Sequence, residues 1–312
     1  MPNFSGIWTV TQQMQAKGQS IWPAIPGAPT IGTATATGST TATVAFTAGS
    51  TGYPTAVTYT ATSSPGGLTG TGTSPITVAG LTTGTAYTFT VTATNTTGTS
   101  AASAASNSIT PALQIGDAYG GGYYAGQIST TANSVATHNL VVGPKSSAQA
   151  STTLQLKTSD TSTTGTSSVI DGPANSAAMN DASHPAAQFC EGLTIGGYSD
   201  WYLPAKNELE VCYFNLKPRD DSNNTNSGIN ANAVPARASN YTNSPQVPTT
   251  TTASAFQFGN SEVYTLATYW GSTQILSQTT SRQDFSSGYQ ANPNGGNKTS
   301  YYRVRAIRRV AV

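Results

Sequence analysis

The chain has 312 residues, a formal net charge of +1 and only 8% charged side chains, against about 25% in an average soluble protein. That balance gives no electrostatic reason to expect nucleic acid or an anionic membrane surface as partner, and two cysteines exclude a disulfide-dense scaffold. No apolar run reaches the ~18 residues of a membrane-spanning helix.

The few charges divide the chain. Up to residue 112 the only charged side chain is Lys17, and every acid and every arginine lies at or beyond Asp117. Solubility of the first part therefore rests on Thr and Ser hydroxyls, a composition shared with extracellular and virion β-modules. The start, MPNFSGIWTVTQQMQAKG, lacks the basic residues and apolar run of a secretory signal. Release by cell lysis is the expected route out of the cell, though another secretion route or a removed signal leaves the same pattern.

Residues 1–22 place Ile7, Val10 and Met14 at i, i+3 and i+7, which reads as a short amphipathic helix or, given the threonines at 9 and 11, as an extended arm. A segment this short cannot bury its own apolar side chains. Ile7, Trp8, Val10, Met14 and Trp22 are the candidate residues of an assembly anchor, the alternative being a tail packed on its own domain.

Residues 23–112 alternate polar and apolar positions in TATVAF (41–46), AVTYTAT (56–62), SPITVAG (74–80) and YTFTVTATN (87–95), with turns at SSPGGLTGTG and LTTGTA. The spacing predicts an all-β sandwich. GLTTGTAYTFTVTATNTTGTSAAS resembles the second half of a fibronectin type III domain. The resemblance implies that Leu81 is the buried leucine of its turn, Tyr87 the corner tyrosine and Val91 part of the core face. It departs where the family has a Trp in its second strand and this chain has Val44 and Phe46. No Arg-Gly-Asp triplet is present. The expected role is a spacer, with direct ligand contact as the alternative.

Residues 113–312 read as α+β. A helix is predicted over 171–193, with Ala186, Phe189, Cys190 and Leu193 on one face, and a second from Pro204, where Leu209, Cys212, Tyr213 and Leu216 recur at helical spacing. Strands are predicted in EVYTLATYWGST, RQDFSSGYQ and YYRVRAIRRV. The series GDAYGGGYYAGQI, HNLVVGPK, HPAAQFC, GGYSDWYLPAKNEL, TYWGSTQ and YYRVRAIRRV resembles the C-terminal domain family of a bacterial collagen-like adhesin (the Lcl C-terminal type), which has a C-type-lectin-like fold. Such domains, joined to fibronectin-like modules, occur in tailed-phage virion proteins. FSGIWTVTQQMQAKGQSIWP also resembles leader segments of those proteins.

Within this part Trp201, Leu203, Pro204, Glu208, Leu209 and Trp270 are expected to be structural keystones. Pro204 starts the helix, both tryptophans pack between helix and sheet, and Glu208 or Glu210 pairs with an arginine of the last strand. A direct ligand role for Trp201 or Glu208 is the alternative.

Chemistry is sparse. His138 and His184 lie far apart without metal-ligand spacing, and no phosphate-binding or nucleophile-elbow motif occurs. Cys190 and Cys212 sit on apolar helix faces as buried thiols, a disulfide between them being the alternative. Asn292, Pro293 and Asn294 only superficially resemble the calcium loop of sugar-binding lectins, and Asp220–Asp221 is the only close acid pair, so an amide-rich loop without metal is expected.

Ligand contact, if present, belongs to the long Asn/Ser/Thr segment 217–261 and to the 291–297 loop. Arg237, Asn240, Tyr241, Asn292 and Asn294 are the candidates, against a solvated insertion or a subunit contact. The expected whole is a multidomain, non-enzymatic, cofactor-free virion fibre or tail-associated protein without membrane insertion or nucleic-acid binding. It displays a lectin-like domain to a host-surface glycan or protein and meets other virion proteins through its N-terminus, as a homo-oligomer. A capsid decoration or self-assembling fibre subunit without receptor binding is the alternative. An enzyme of the formylglycine-generating or glycan-processing kind is a distant third.

Overall fold

The computed structural model describes residues 9–18, 22–290 and 295–312. The chain forms two compact units, Met1–Gln114 and Ile115–Val312; the division expected from charge lay at 112/113.

In the first unit α1 (Val10–Gly18) leaves Val10 and Met14 exposed. Of the two readings left open for this segment, the helix forms, and Thr9 and Gln12 exchange hydrogen bonds at its start. Trp22 is half-buried, while Ile7 and Trp8 lie outside the described residues.

Seven strands follow: β1 (Thr30–Ala36), β2 (Thr41–Thr47), β3 (Thr58–Ser64), β4 (Thr69–Thr71), β5 (Ile76–Ala79), β6 (Thr88–Asn95) and β7 (Gly98–Thr99). They form antiparallel sheets ordered β1-β2-β5 and β4-β3-β6-β7, the two-sheet architecture that immunoglobulin and fibronectin type III domains share. Alternation builds it. β2 buries Ala42, Val44 and Phe46, and β6 buries Phe89, Val91 and Ala93, so the inner faces close on Ile76, Val78 and Leu81. Tyr87 accepts a hydrogen bond at its hydroxyl from the Thr82 N–H at 3.0 Å. Edge strand β1 went unread because it buries Ala34 alone. After β7, Ser100, Ser103 and Ser106 each donate a backbone N–H to β6, to Ala93, Val91 and Phe89 in turn. Their hydroxyls accept the N–H of the same three residues at 2.9–3.0 Å, so a serine at every third position completes the ladder without a regular strand.

The second unit opens with β8 (Ala118–Tyr119), β9 (Gly122–Ile128), β10 (His138–Val142), α2 (Lys145–Ala148) and β11 (Leu154–Gln155). Then come α3 (Gly172–Ala177), α4 (Pro185–Glu191) and α5 (Lys206–Leu216). Short pairs β12 (Ala233–Val234), β13 (Thr242–Asn243) and β14 (Gln246–Val247) precede β15 (Thr268–Gln274), β16 (Thr279–Asp284), β17 (Gly296–Asn297), β18 (Tyr301–Tyr302) and β19 (Ile307–Ala311). β10 lies between β9 and β19, so an early and the last strand share one sheet.

Three expected boundaries are corrected. The predicted 171–193 helix is two helices, because Asp181 turns the chain and accepts hydrogen bonds from Ser183. α5 begins at Lys206, so Pro204 precedes it, and the Pro204 carbonyl accepts the Ser272 N–H at 2.7 Å instead. The strand read from residue 262 begins at Thr268. Two buried clusters hold the unit: Leu209, Cys212, Tyr213 and Leu216 of α5 over β9 and β16, and Trp201, Leu203 and Trp270 with α4.

Candidate functional site

The helix α5 organises everything around it. Trp201 and Trp270 are buried in the neighbouring cluster with α4 and donate their ring N–H groups to the carbonyls of Tyr198 (3.1 Å) and Leu154 (2.8 Å). Glu208 is buried and accepts from the Tyr202 hydroxyl (2.6 Å), the Ala205 N–H (2.8 Å) and Arg309 Nε (2.6 Å). Burial raises its pKa, against the pull of Arg309. It joins the start of the helix to the last strand and has no solvent access for a ligand.

Two residues on, Glu210 points to the long loop. It is 0% exposed and accepts from Asn230 Nδ2 (2.6 Å), the Tyr241 hydroxyl (2.8 Å), Arg237 Nε (3.0 Å) and Arg237 Nη2. Gly228 and Gly288, both at positive φ, carry the backbone against the Tyr241 ring; a Cβ at either would lie 2.4 or 2.8 Å from ring atoms. Lys217, at the loop's start, is buried and donates to Asp221 O, Asn223 Oδ1 and Pro248 O at 2.6, 2.8 and 3.1 Å. The loop is therefore folded from within.

This corrects Tyr241 and shows Arg237 already engaged, although Arg237 also lines a cleft beside Asn240. Tyr241 was expected on an exposed recognition loop, but its ring lies in the α5 core and its hydroxyl is committed to Glu210. Arg237 was expected to meet ligand, but its guanidinium neutralises the same carboxylate and covers the Phe214 ring at 4.1 Å. Asn292 and Asn294 lie outside the described residues.

Asn240 is half-buried and differently placed. It lines a cleft of about 210 Å³ with Lys206, Asn226 and Gln290, and a second of about 210 Å³ with Phe214, Ser239 and Val247. Val247 and Phe214 also line a third, of about 340 Å³, with Gln246 and threonines 249–252. No signal in the sequence ranks Asn240 above its neighbours; its place in the lining of two clefts sets it apart.

Reactive groups are enclosed. The Cys212 thiol is pushed up to about 12 by burial and then by Glu208, and burial lifts Cys190 well above the thiol range. Asp220 accepts the Thr250 N–H at 2.6 Å and Asp221 pairs with Arg219 at 2.7 Å. Among the described residues no three His, Cys, Asp or Glu side chains gather as metal ligands. His184 bridges Asp181 (Nδ1, 2.9 Å) and Thr163 (Nε2, 2.8 Å), and the Thr163 hydroxyl also accepts from Lys157 at 3.0 Å. Lys298 donates to Thr161 O and to Gln274 Oε1, which also accepts the Thr163 N–H. These bonds pin the 157–166 segment, a role the isolated histidine did not suggest.

No known protein family and no curated protein matches the sequence. Solved structures similar to part of the chain include domains A168-A170 from titin, at 19% identity over 28% of this chain and 32% of that one, with a TM-score of 0.26. The fibronectin type-III domain of human fibronectin type III domain containing protein 3 is 23% identical over 31% of this chain and 95% of its own, with a TM-score of 0.25. The FN5 domain of Drosophila Lar is 21% identical over 29% of this chain and all of its own, with a TM-score of 0.22. The chain thus spans about a third of the titin fragment it matches.

Proposed function

We propose that this chain is a tailed-phage virion protein in which a fibronectin type III-like unit spaces out a C-type-lectin-like domain for adhesion to the host surface. The observation that carries the reading is the 217–261 loop, clamped through buried Glu210 so that Asn240 stands between two clefts. Loops on a rigid scaffold are the usual place for recognition. The side chains presented here are amides and hydroxyls, which bind without covalent chemistry. Several copies on one particle raise the strength of weak single sites by avidity.

The test is competition. Purified full-length protein added to host cells blocks adsorption of the parent phage, and an antibody against the chain labels the distal tail. A second reading, capsid decoration or fibre assembly without receptor binding, draws support from the exposed Val10 and Met14 of α1, which suit contact with another virion subunit. Regularly spaced labelling over the capsid, without competition for adsorption, selects that second reading.

A further inference from the structure

We propose that the three clefts around Asn240 and Val247 act as one groove that takes a linear, uncharged glycan chain rather than a single terminal sugar. The inference rests on the adhesive reading above and names its ligand. Asn240 is common to the first and second clefts, and Phe214 and Val247 are common to the second and third. Each of the two smaller clefts, at about 210 Å³, is below the roughly 300–1,000 Å³ of ligand pockets, and the third, at about 340 Å³, lies at the low end of that range, so only the shared walls make a site of ordinary size for a longer ligand. A ligand that spans shared walls is elongated.

The wall chemistry selects against charge. Among the described residues no carboxylate lines any of the three clefts. Arg237 lies in the second, but its charge is taken by Glu210 and its face by Phe214. Among the described residues Lys206, at one end, alone brings an ammonium to the groove. Gln290, Asn240, Gln246 and threonines 249–252 supply donors and acceptors together, matching sugar hydroxyls, which are also both. Exposed Val247 offers apolar surface midway, beside Phe214, whose ring Arg237 covers, and so suits the C–H face of a pyranose ring.

The probe is a glycan array carrying neutral and acidic oligosaccharides of graded length, read with labelled full-length chain. Neutral chains of about four or more units are retained, with affinity rising about tenfold from disaccharide to hexasaccharide and unchanged between about 0.05 and 0.5 M salt. Asn240→Trp, which fills the junction, abolishes retention. Thr252→Trp, at the exposed far end, removes only the gain of the longer chains; both variants are first checked for native unfolding by calorimetry.

Acidic glycans held in a salt-sensitive way, or a monosaccharide bound as tightly as the hexamer, overturn the groove and leave adhesion standing. Retention of no glycan by protein that still competes for host cells also overturns it and assigns the receptor to protein. Loss of both glycan retention and competition removes the adhesive reading as well.

Discussion

Replacing Glu210 by Gln keeps the side chain's size and removes its charge. In the native loop the two carboxylate oxygens accept from Asn230, Tyr241 and two nitrogens of Arg237. The amide turns one acceptor into a donor that faces donors, and it leaves a guanidinium only 13% exposed without its counter-charge. Removing one partner of a buried pair costs about 3–5 kcal/mol, and the partial solvent access of Arg237 places this case near about 3 kcal/mol. For a unit of about 200 residues, at roughly 2–4 °C per kcal/mol, the melting temperature falls by about 6–12 °C. Differential scanning calorimetry of the full chain measures the shift. Hydrogen exchange locates it: the amides of Asn230, Arg237 and Tyr241, which are bonded within the loop, lose protection before the sheet does. A shift below about 2 °C with unchanged exchange, well short of the cost of an orphaned buried charge, would refute the view that this carboxylate holds the loop.

Three further outcomes follow from the same structure. Cys190 and Cys212, both buried with raised thiol pKa values, resist a thiol reagent in the native protein and react fully in denaturant; rapid native labelling of either would show an open thiol. Lys298 has its pKa lowered to about 8, first by burial and then by Lys157, so between that value and the unfolded lysine value the unfolded chain binds more protons. Stability to urea therefore rises with pH through that window, and Lys298→Met flattens the rise; an equal slope in both proteins contradicts the assignment. Tyr87→Phe removes the partner of the Thr82 N–H and lowers the stability of the first unit by about 0.5–1.5 kcal/mol, read by calorimetry against the unchanged second unit.

How much was legible depends on what each residue type can signal. Alternation announced β2 and β6 because their buried positions carry Val, Phe and Ala against exposed Thr. It missed Ser100, Ser103 and Ser106, whose hydroxyls do work that the two-residue period does not encode. The bulk of Trp201 and Trp270, and the acid at Glu208 opposite a late arginine, pointed to structural sites without the fold in view. Tyr241 misleads for a physical reason. A run of Asn, Ser and Thr reads as solvated, yet here Asn223 donates to the loop's own Thr242 and Pro248 carbonyls, and Asn230 donates to the Asn207 carbonyl and the Glu210 carboxylate of α5. In a chain so poor in charge, Arg237 and Lys217 serve as tethers, through Glu210 27 residues from Arg237 and Pro248 31 residues from Lys217.

The most direct test of the account is equilibrium binding of labelled full-length protein to candidate host cells, comparing wild type, Asn240→Trp and Tyr87→Phe. The account predicts saturable binding that Asn240→Trp weakens by about tenfold or more, equivalent to about 1.4 kcal/mol, and that Tyr87→Phe leaves unchanged. Equal binding by a natively folded Asn240→Trp variant, or no saturable binding by wild type, would contradict it.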